Sequence, residues 1–459
     1  MQLVLSINRK IILLCFSVAS IVFAASAQEN SPYSRYGLGD YFQGQHIINR
    51  AMGGLSVAYA DGLSANLGQS INFNNPASYA NFKTVSYDLG LTIDNRTLRN
   101  QATTTKFSSS NFTPSYLALA VPINKQKNIG MAFGLVPKSR VNYAVIENGR
   151  IPNLDSVQTV YEGSGGLNQA FIGLGKRWKN ISLGFNMGYN FGNKEISTKR
   201  GFYNDSVIYN NSNSATNTTF GGTFISGGIQ YETVLKQVTD KTNNTENRYI
   251  LRFGASGNLG QKMGARQDII RQTFQYNGVG EVAQIDSVFE QRNIKGSVQL
   301  PSTYTIGFTI QKNVANSRAN FDVWTFGAEY TATQWTKYRF YGSPDALVNS
   351  WQVKIGGQFS PNPVRGSNVW STTNYRAGFF FGKDYINANG RELKLAGLSI
   401  GAGLPVRKWR NYDYQFTIIN LALEFGKRGS AVNNITENWF RVSVGLSLSD
   451  LWFIKRRYD

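Results

Sequence analysis

Few residues of this sequence could perform enzyme chemistry. It contains one histidine, His46, which lies between Gln45 and Ile47. Serine hydrolysis generally requires a histidine beside the nucleophile, and a histidine metal site requires further ligands that His46 lacks. The glycine-rich stretch 163–166 leads into a strand instead of the helix that follows a phosphate-binding loop. We therefore expect a structural histidine, and we predict that the protein is not an enzyme and has no catalytic residue, metal or cofactor.

Four side chains could contact a ligand. Lys354, Arg376 and Arg441 could bind a carboxylate, and Phe380 could pack against an apolar group. Each lies on the inward parity of an alternating segment, and such a face lines the interior of a membrane barrel. A barrel interior is usually polar, so a ligand role and a structural role both stay open for the three cations.

The first 27 residues have the three parts of a secretory signal peptide. Arg9 and Lys10 precede an apolar run at 11–24, and Ala25-Ser26-Ala27 is a small-x-small cleavage site. The only cysteine, Cys15, lies in the apolar run, where no small residue precedes it as a lipoprotein signal would require. The predicted mature chain therefore has no cysteine, which excludes disulfides and thiolate sites.

Apolar and polar residues alternate along the chain from end to end. In the last stretch, Phe440, Val442, Val444, Leu446 and Leu448 alternate with polar or small residues. A strand has a side-chain period of two, so one face of each segment is apolar. No apolar run of about 18 residues follows the signal, which argues against a transmembrane helix. Together with 29 Phe, 24 Tyr and 46 Gly, the pattern predicts an all-β fold, a transmembrane antiparallel β-barrel in a bacterial outer membrane.

The alternating segments predict fourteen strands, an even count that places both ends in the periplasm. Their approximate bounds are 84–97, 112–122, 129–146, 167–178, 181–194, 218–234, 249–261, 303–312, 320–333, 350–359, 373–384, 395–406, 413–426 and 438–449. Long polar connections on the outer side are predicted at 147–166, 195–217, 262–302 and 385–394. The third of these could contain an additional hairpin.

The chain is strongly basic, with a formal net charge of +20. Anionic lipid headgroups explain that charge better than nucleic acid, which we do not expect as a partner of an exported barrel. At the C-terminus, Trp452-Phe453 would sit at the membrane interface, with Lys455-Arg456-Arg457 beside the headgroups. Outer-membrane lipid is therefore a predicted partner.

Residues 28–83 lack a clean period of two and are rich in Gly, Asn and Ala. Many glycines on the inward strand faces leave space inside the barrel. We predict that 28–83 fills the lumen as a hatch and that 84–459 forms the barrel. A periplasmic tail is the alternative, against which stand the apolar residues Ile47, Ile48, Met52 and Leu55.

Several motifs resemble a known family. Met52-Gly53-Gly54-Leu55-Ser56-Val57-Ala58, followed by Asp61 and Asn74-Asn75-Pro76-Ala77-Ser78, resembles the N-terminal hatch of the FadL/TodX outer-membrane transport family. The segment 134–139, with Pro137 inside it, is similar to the proline-broken third strand of that family. The opening Ser31-Pro32-Tyr33-Ser34-Arg35-Tyr36-Gly37-Leu38-Gly39 resembles the Bacteroidota branch.

The resemblance implies a fourteen-stranded barrel with the hatch inside and uptake of apolar small molecules, such as long-chain fatty acids or hydrocarbons. It implies hatch residues at Arg50, Gly53, Gly54, Asp61, Asn75, Pro76 and Ala77. Pro137 would mark a lateral opening, because proline donates no ladder hydrogen bond; an ordinary strand-end proline is the alternative. Arg50 and Asp61 could pair with each other or with the barrel wall.

Three functions agree with such a barrel. The first is a channel for hydrophobic compounds. The second is a subunit of an outer-membrane secretion or assembly complex, whose mark would be large ordered loops at 195–217 and 262–302 that bind protein. The third is a general porin for polar solutes, which a hatch filling the lumen argues against.

Overall fold

The computed structural model describes residues 31–42, 44–60, 69–100, 106–150, 156–203, 209–240, 245–276, 282–315, 320–361, 369–388, 390–406, 416–430, 433 and 435–450. The predicted signal peptide 1–27, the hatch residue Asp61 and the C-terminal Trp452-Phe453 with the basic residues after it lie outside the described residues.

The described chain is mainly β-structure. Its strands are Asp40–Tyr41 (β1), Val85–Asn100 (β2), Lys106–Asn124 (β3), Ile129–Arg150 (β4), Ser156–Trp178 (β5), Ile181–Tyr203 (β6), Asn211–Asp240 (β7), Thr245–Asn258 (β8), Gln261–Tyr276 (β9), Val282–Leu300 (β10), Thr303–Ala315 (β11), Asn320–Thr333 (β12), Arg339–Phe340 (β13), Ser350–Phe359 (β14), Asn374–Ala388 (β15), Arg391–Val406 (β16), Phe416–Arg428 (β17) and Ile435–Asp450 (β18). The helices are Ile47–Ala51 (α1), Val369–Thr372 (α2) and the 3₁₀ helices Pro32–Arg35, Pro76–Asn81 and Trp335–Lys337. None of the helices in the described ranges is long and apolar enough to span a membrane.

Fourteen long strands close into one antiparallel barrel, as predicted. The ring runs from β2 to β8 in chain order, passes to β11, β12 and β14, and continues to β18. It closes because β18 pairs with β2 along its whole length, with Asp450 opposite Val85 and Ile435 opposite Asn100. We call the end with Val85 and Asp450 the inner end, and the opposite end the outer end.

The additional hairpin considered for 262–302 is present. Strands β9 and β10 form it, and they leave the wall between β8 and β11, which pair directly with each other. Strand β9 then pairs with the outer part of β7, where Ala265 lies opposite Phe220. The hairpin therefore extends the sheet beyond the outer end of the barrel.

The apolar faces of the barrel strands point outward, as their alternation predicts. In β6, the side chains of Leu183, Phe185, Met187, Tyr189 and Phe191 are 40–51% exposed. Asn186 and Asn190 between them are buried in the interior. An apolar face beside lipid and a polar face beside the lumen account for this period of two.

The predicted connections 147–166, 195–217 and 385–394 are also largely strand. Residues 156–164 belong to β5 and 195–203 to β6, where they pair with each other outside the predicted strand bounds. The first residues of β7 pair with β6 and β9 in the same way. Beyond the membrane both sheet faces meet water, so the apolar–polar alternation that identifies a membrane strand is lost. Residues 212–219, Ser-Asn-Ser-Ala-Thr-Asn-Thr-Thr, illustrate this.

The barrel wall is incomplete between β3 and β4. Their pairing runs from the inner turn to Leu117 opposite Leu135 and stops there. Farther out, β3 pairs only with β2, and β4 pairs with β5 and the short strand β1. Pro114 and Pro137 flank the break, and neither can donate a ladder hydrogen bond. Bulges at Ser115 in β3 and Lys138 in β4 bend both margins.

The N-terminal segment lies within the ring and runs from the outer end to the inner end. At the outer end, Tyr33 donates a hydrogen bond to the Ile435 carbonyl. At the inner end, the Gln69 N–H donates to Ser449 Oγ. Its Ile47, Ile71, Phe73 and Tyr79 side chains belong to a buried apolar cluster with inward residues of the wall. The predicted hatch position within the lumen is therefore observed for the described residues.

Candidate functional site: the lumen and the wall break

A cavity of about 390 Å³ remains between the N-terminal segment and the wall. It reaches both margins of the wall break, with Thr113, Pro114 and Ser115 of β3 on one side and Val136, Pro137 and Lys138 of β4 on the other. The apolar part of its lining includes Phe73, Val136, Phe171 and Phe224. Pockets of this size and mixed lining hold small molecules in many proteins.

The short strand β1 covers the free edge of β4 beside the break. Asp40 lies opposite Arg140 and Tyr41 opposite Ser139, in antiparallel register. The Phe42 N–H also donates to the Lys138 carbonyl, at 2.8 Å. Arg140 bridges the break by donating from Nη1 to Thr113 Oγ1 at 3.1 Å. A segment of the hatch therefore substitutes for the missing strand partner.

Asp40 is held by two arginines of the wall. Its carboxylate accepts from Arg96 of β2 and, at 2.8 Å, from Arg428 of β17. Burial alone would raise the pKa of Asp40, but the charges of Arg96 and Arg428 hold that pKa below its usual value. The buried pairs fix the position of β1 and extend to Asp94, Asp384, Glu437 and Arg441.

Glu329 of β12 fixes the middle of the N-terminal segment. Its Oε2 accepts from the N–H groups of Ser56 and Val57, both at 2.7 Å. Its Oε1 accepts from Lys354 Nζ at 3.0 Å. Both charged side chains are almost completely buried, so each supplies the neutralising partner of the other.

The hatch residues predicted from the motif contact the wall. Arg50 pairs with Glu424 of β17 at 2.8 Å and donates to Thr92, so it pairs with the wall. Gly53 and Gly54 have φ of +69° and +89°, and the Gly53 N–H donates to Ser399 Oγ at 2.7 Å. A Cβ on Gly53 would lie 2.8 Å from the Phe379 nitrogen, which explains why only glycine fits there.

Asn75, Pro76 and Ala77 begin a 3₁₀ helix at the inner end. Asn75 caps it by accepting from the Ala77 N–H at 3.1 Å, and its amide donates to the Val57 carbonyl at 2.6 Å. The wall approaches this helix through glycines. A Cβ on Gly184 would lie 2.3 Å from the Pro76 carbonyl carbon, so the predicted Asn-Pro-Ala motif packs directly on β6.

His46 joins the hatch to β2 and caps α1. Its Nδ1 accepts from the Ile48 N–H at 3.2 Å, so that nitrogen carries no proton. Its Nε2 lies 3.1 Å from Asp88 Oδ2, and its ring stacks on Tyr116. The contacts of His46 are those of a residue that orders the N-terminal segment.

Three of the four predicted ligand contacts line the cavity: Lys354, Phe380 and Arg441. Lys354 is paired with Glu329, and Arg441 Nε lies 3.1 Å from Asp94 Oδ1. Arg376 donates to Gln358 at 2.7 Å and to Asn420 at 3.0 Å. All four face inward, and the three cations have protein partners.

Several residues of this region were missed in the sequence. Asp40, Arg96, Arg428 and Glu329 could not be singled out, because their partners are set by the barrel register. Lys138 borders the cavity at the break, and its ammonium forms an ion pair with none of the described residues. The proline pair flanking the break was a usable signal, but only Pro137 was predicted.

Residues 397–401 form a Gly-x-Ser-x-Gly sequence, the pattern of a nucleophile elbow. It lies within β16, whereas a nucleophile elbow turns from a strand into a helix. Ser399 accepts from the Gly53 N–H, so its hydroxyl positions the hatch. Among the described residues, no group of three or more His, Cys, Asp or Glu is arranged to hold a metal ion.

Comparisons with known proteins complete the description. A family model described as BamG matches residues 7–459. Similar solved structures include the CymD monoaromatic hydrocarbon channel, with 12% identity, 89% of this chain and 98% of that chain covered, and a TM-score of 0.49. A Pseudomonas aeruginosa FadL homologue has 13% identity, 90% and 98% coverage and a TM-score of 0.48. The P. putida toluene transporter TodX has 13% identity, 89% and 99% coverage and a TM-score of 0.48. None of the curated proteins matches the sequence.

Proposed function

The chain belongs to the BamG family, and we propose that it is a bacterial outer-membrane channel for the uptake of hydrophobic compounds. One observation carries this proposal: the cavity in the lumen reaches both margins of a break in the barrel wall. A polar outer leaflet slows apolar solutes, and a lateral exit would release them into the hydrocarbon layer without passage through water. In this proposal the inner end faces the periplasm.

The lining of the cavity supports an apolar or amphiphilic solute. Phe73, Val136, Phe171 and Phe224 would contact a chain or ring, and burial of that surface favours binding. Lys138 at the break would attract an acidic head group of a fatty acid. Phe380 and Arg441 border the same cavity and are the further contacts that we propose.

The gate in this proposal is β1 together with Pro137. Displacement of Asp40 and Tyr41 from the edge of β4 would open the break from the cavity side. The hatch residues Arg50, Gly53, Gly54, Asn75, Pro76 and Ala77 would remain attached to the wall during that movement, because they contact other strands. Only the outer part of the hatch would then have to move.

A disulfide across the gate tests the proposal. Tyr41 and Ser139 are antiparallel partners, and such partners lie close enough for a disulfide. In Tyr41→Cys/Ser139→Cys, the oxidised protein should transport labelled oleate and toluene into proteoliposomes poorly, and reduction should restore transport. Asn148→Cys/Gln158→Cys is the matched control, because it links register partners of β4 and β5 that are already paired and do not line the cavity. Equal transport by the oxidised and reduced gate variant would contradict a lateral exit.

A second candidate function is a barrel subunit of an outer-membrane secretion or assembly complex. The specific observation in its favour is the outer sheet, built from the ends of β4, β5, β6 and β7 and the hairpin β9–β10. A channel for small solutes does not need an ordered sheet of this extent. The hairpin exposes the apolar residues Ile285, Val288 and Phe289, which could contact a protein partner.

Shortening the hairpin separates the two functions. Replacing residues 270–290 with a two-residue turn removes the tip and leaves the wall and the break unchanged. Native mass spectrometry of protein extracted gently from its own membrane should then retain a bound apolar molecule if uptake is the function. Loss of a protein partner from the shortened variant, with an empty lumen in both proteins, would favour the complex subunit.

A further inference from the structure

The first described residues of the chain lie at the outer end of the barrel. Ser34 Oγ donates to the Asn142 carbonyl of β4 at 3.1 Å. The Gly37 N–H donates to Asp345 in the outer connection between β13 and β14 at 2.7 Å. Tyr33 donates to Ile435 where β18 begins, at 2.6 Å. These contacts tie 31–41 to three separate parts of the outer rim.

This stretch also packs into an apolar core at the outer mouth. The core joins Tyr33 and Leu38 to the outer sheet through Phe220 and Met263, to the β12–β14 connection through Trp335, and to the outer ends of β15 and β16 through Tyr385 and Leu393. Tyr41 meets the edge of Trp335 at 4.6 Å between ring centroids, and Trp335 stacks on Tyr385. The stretch therefore shares its core with the rim.

Charged side chains of the wall strands also fix the same stretch. Asp40 sits between Arg96 and Arg428. Lys194 of β6 donates to the carbonyls of Arg35 and Gly37, at 3.2 and 2.6 Å. By contrast, the Arg35 side chain is exposed. The stretch thus has a buried, fixed underside and an upper side open to solvent.

We propose that Ser31–Tyr41 is a lid on the extracellular mouth of the barrel and is reached from the cell exterior. At the inner end, Pro76–Asn81 packs separately against β5 and β6. In this proposal the lumen is closed by two barriers, and the outer one can be displaced from outside. This inference does not depend on the uptake proposal, because it holds equally for a subunit of a complex.

The sidedness is tested by labelling Arg35→Cys in intact cells with a membrane-impermeant biotin-maleimide. The predicted mature chain has no cysteine of its own, so the label reports only this position. Asn148→Cys at the outer end should label equally, and Lys125→Cys at the inner β3–β4 turn should label only after permeabilisation. Heat-modifiable gel migration confirms folding. If Arg35→Cys does not fold, Tyr36→Cys takes its place. Labelling of the lid position only after permeabilisation, or not at all, overturns the proposal.

Closure by the lid is tested by labelling a cavity residue, Gln169→Cys, in intact cells with the same impermeant maleimide. Asp40→Asn removes the charge that Arg96 and Arg428 hold, and in the Gln169→Cys background it should raise the labelling rate about tenfold, the effect of losing a charge-assisted hydrogen bond. Glu162→Gln is the matched control, because its partners Lys199 and Ser197 lie in the outer sheet. Tyr41→Ala is the second lid variant. If neither lid variant is labelled at Gln169→Cys faster than the Glu162→Gln control in the same background, the stretch is not the outer barrier and the proposal fails.

Discussion

Glu329 and Lys354 are register partners on β12 and β14, and their charged groups meet inside the barrel at 3.0 Å. Neither side chain is more than 4% exposed, so the pair is shielded from solvent screening. The carboxylate also accepts from two backbone N–H groups of the hatch. One buried ion pair therefore joins two wall strands and the N-terminal segment.

Glu329→Gln should destabilise the protein strongly. The substitution leaves the Lys354 ammonium buried without a counter-charge, and breaking a buried pair in this way costs about 3–5 kcal/mol. Urea unfolding in detergent micelles, followed by heat-modifiable migration, measures the loss. The double variant Glu329→Gln/Lys354→Met should recover part of it, because no uncompensated charge remains. A single variant as stable as the half-exposed-pair control Glu162→Gln would contradict the role of this pair.

Glycines of β6 and β7 should differ sharply in their tolerance of alanine. At Gly184 a Cβ would lie 2.3 Å from Pro76, so Gly184→Ala forces the 3₁₀ helix of the hatch away from the wall. We expect a cost of about 1–3 kcal/mol for this overpacking and faster proteolysis of the N-terminal segment. At Gly227 the nearest atom would be 3.9 Å away, so Gly227→Ala is the matched control and should behave like the wild type. Equal protease resistance of the two variants would contradict this contact.

The strands in the membrane could be predicted because they face lipid on one side and a polar lumen on the other. That asymmetry produces the alternation of β6 and β18. The outer ends of β5, β6 and β7 lack it, because water lies on both sheet faces, and they were predicted as connections. Alternation in an exported sequence therefore reports contact with lipid, and it underestimates strand length outside the membrane.

The site was less predictable because its contacts join residues distant in sequence. Arg50 was expected to pair with Asp61 or the wall, and its partner Glu424 follows from the position of α1 against β17. Pro137 could be singled out because the segment around it resembles the proline-broken third strand of the FadL/TodX family. Pro114 flanks the other margin of the break, and this position could not be predicted because it depends on the register between β2 and β3. Asp40 lies in a segment without period, so nothing local identified it.

Acid pH should weaken the ion pairs that attach β1 to the wall. The folded-state pKa of Asp40 lies below the usual value of 3.8, so its ionisation contributes stability above about pH 4. That contribution is lost as the pH falls through the lowered folded-state pKa. Asp40→Asn should therefore be less stable than wild type at neutral pH, and the difference in free energy of unfolding should shrink below about pH 4. The neighbouring acids Asp94, Asp384 and Glu437 are present in both proteins. A difference that is constant from neutral to acid pH would contradict the pairing.

Val444 and Ile146 distinguish the lipid-facing wall from the outer sheet. Val444 lies on the exposed face of β18, where Arg would face hydrocarbon. Val444→Arg should cost about 2–4 kcal/mol if the position lies at mid-bilayer. Ile146 is 61% exposed in the outer part of β4, beyond the last β3–β4 pair, so Ile146→Arg should meet water and cost about 0–1 kcal/mol. Reversible unfolding of both variants in lipid vesicles provides the comparison. Insertion and unfolding of Val444→Arg like wild type would show that β18 does not face lipid, and equal losses in both variants would place the outer sheet within the membrane.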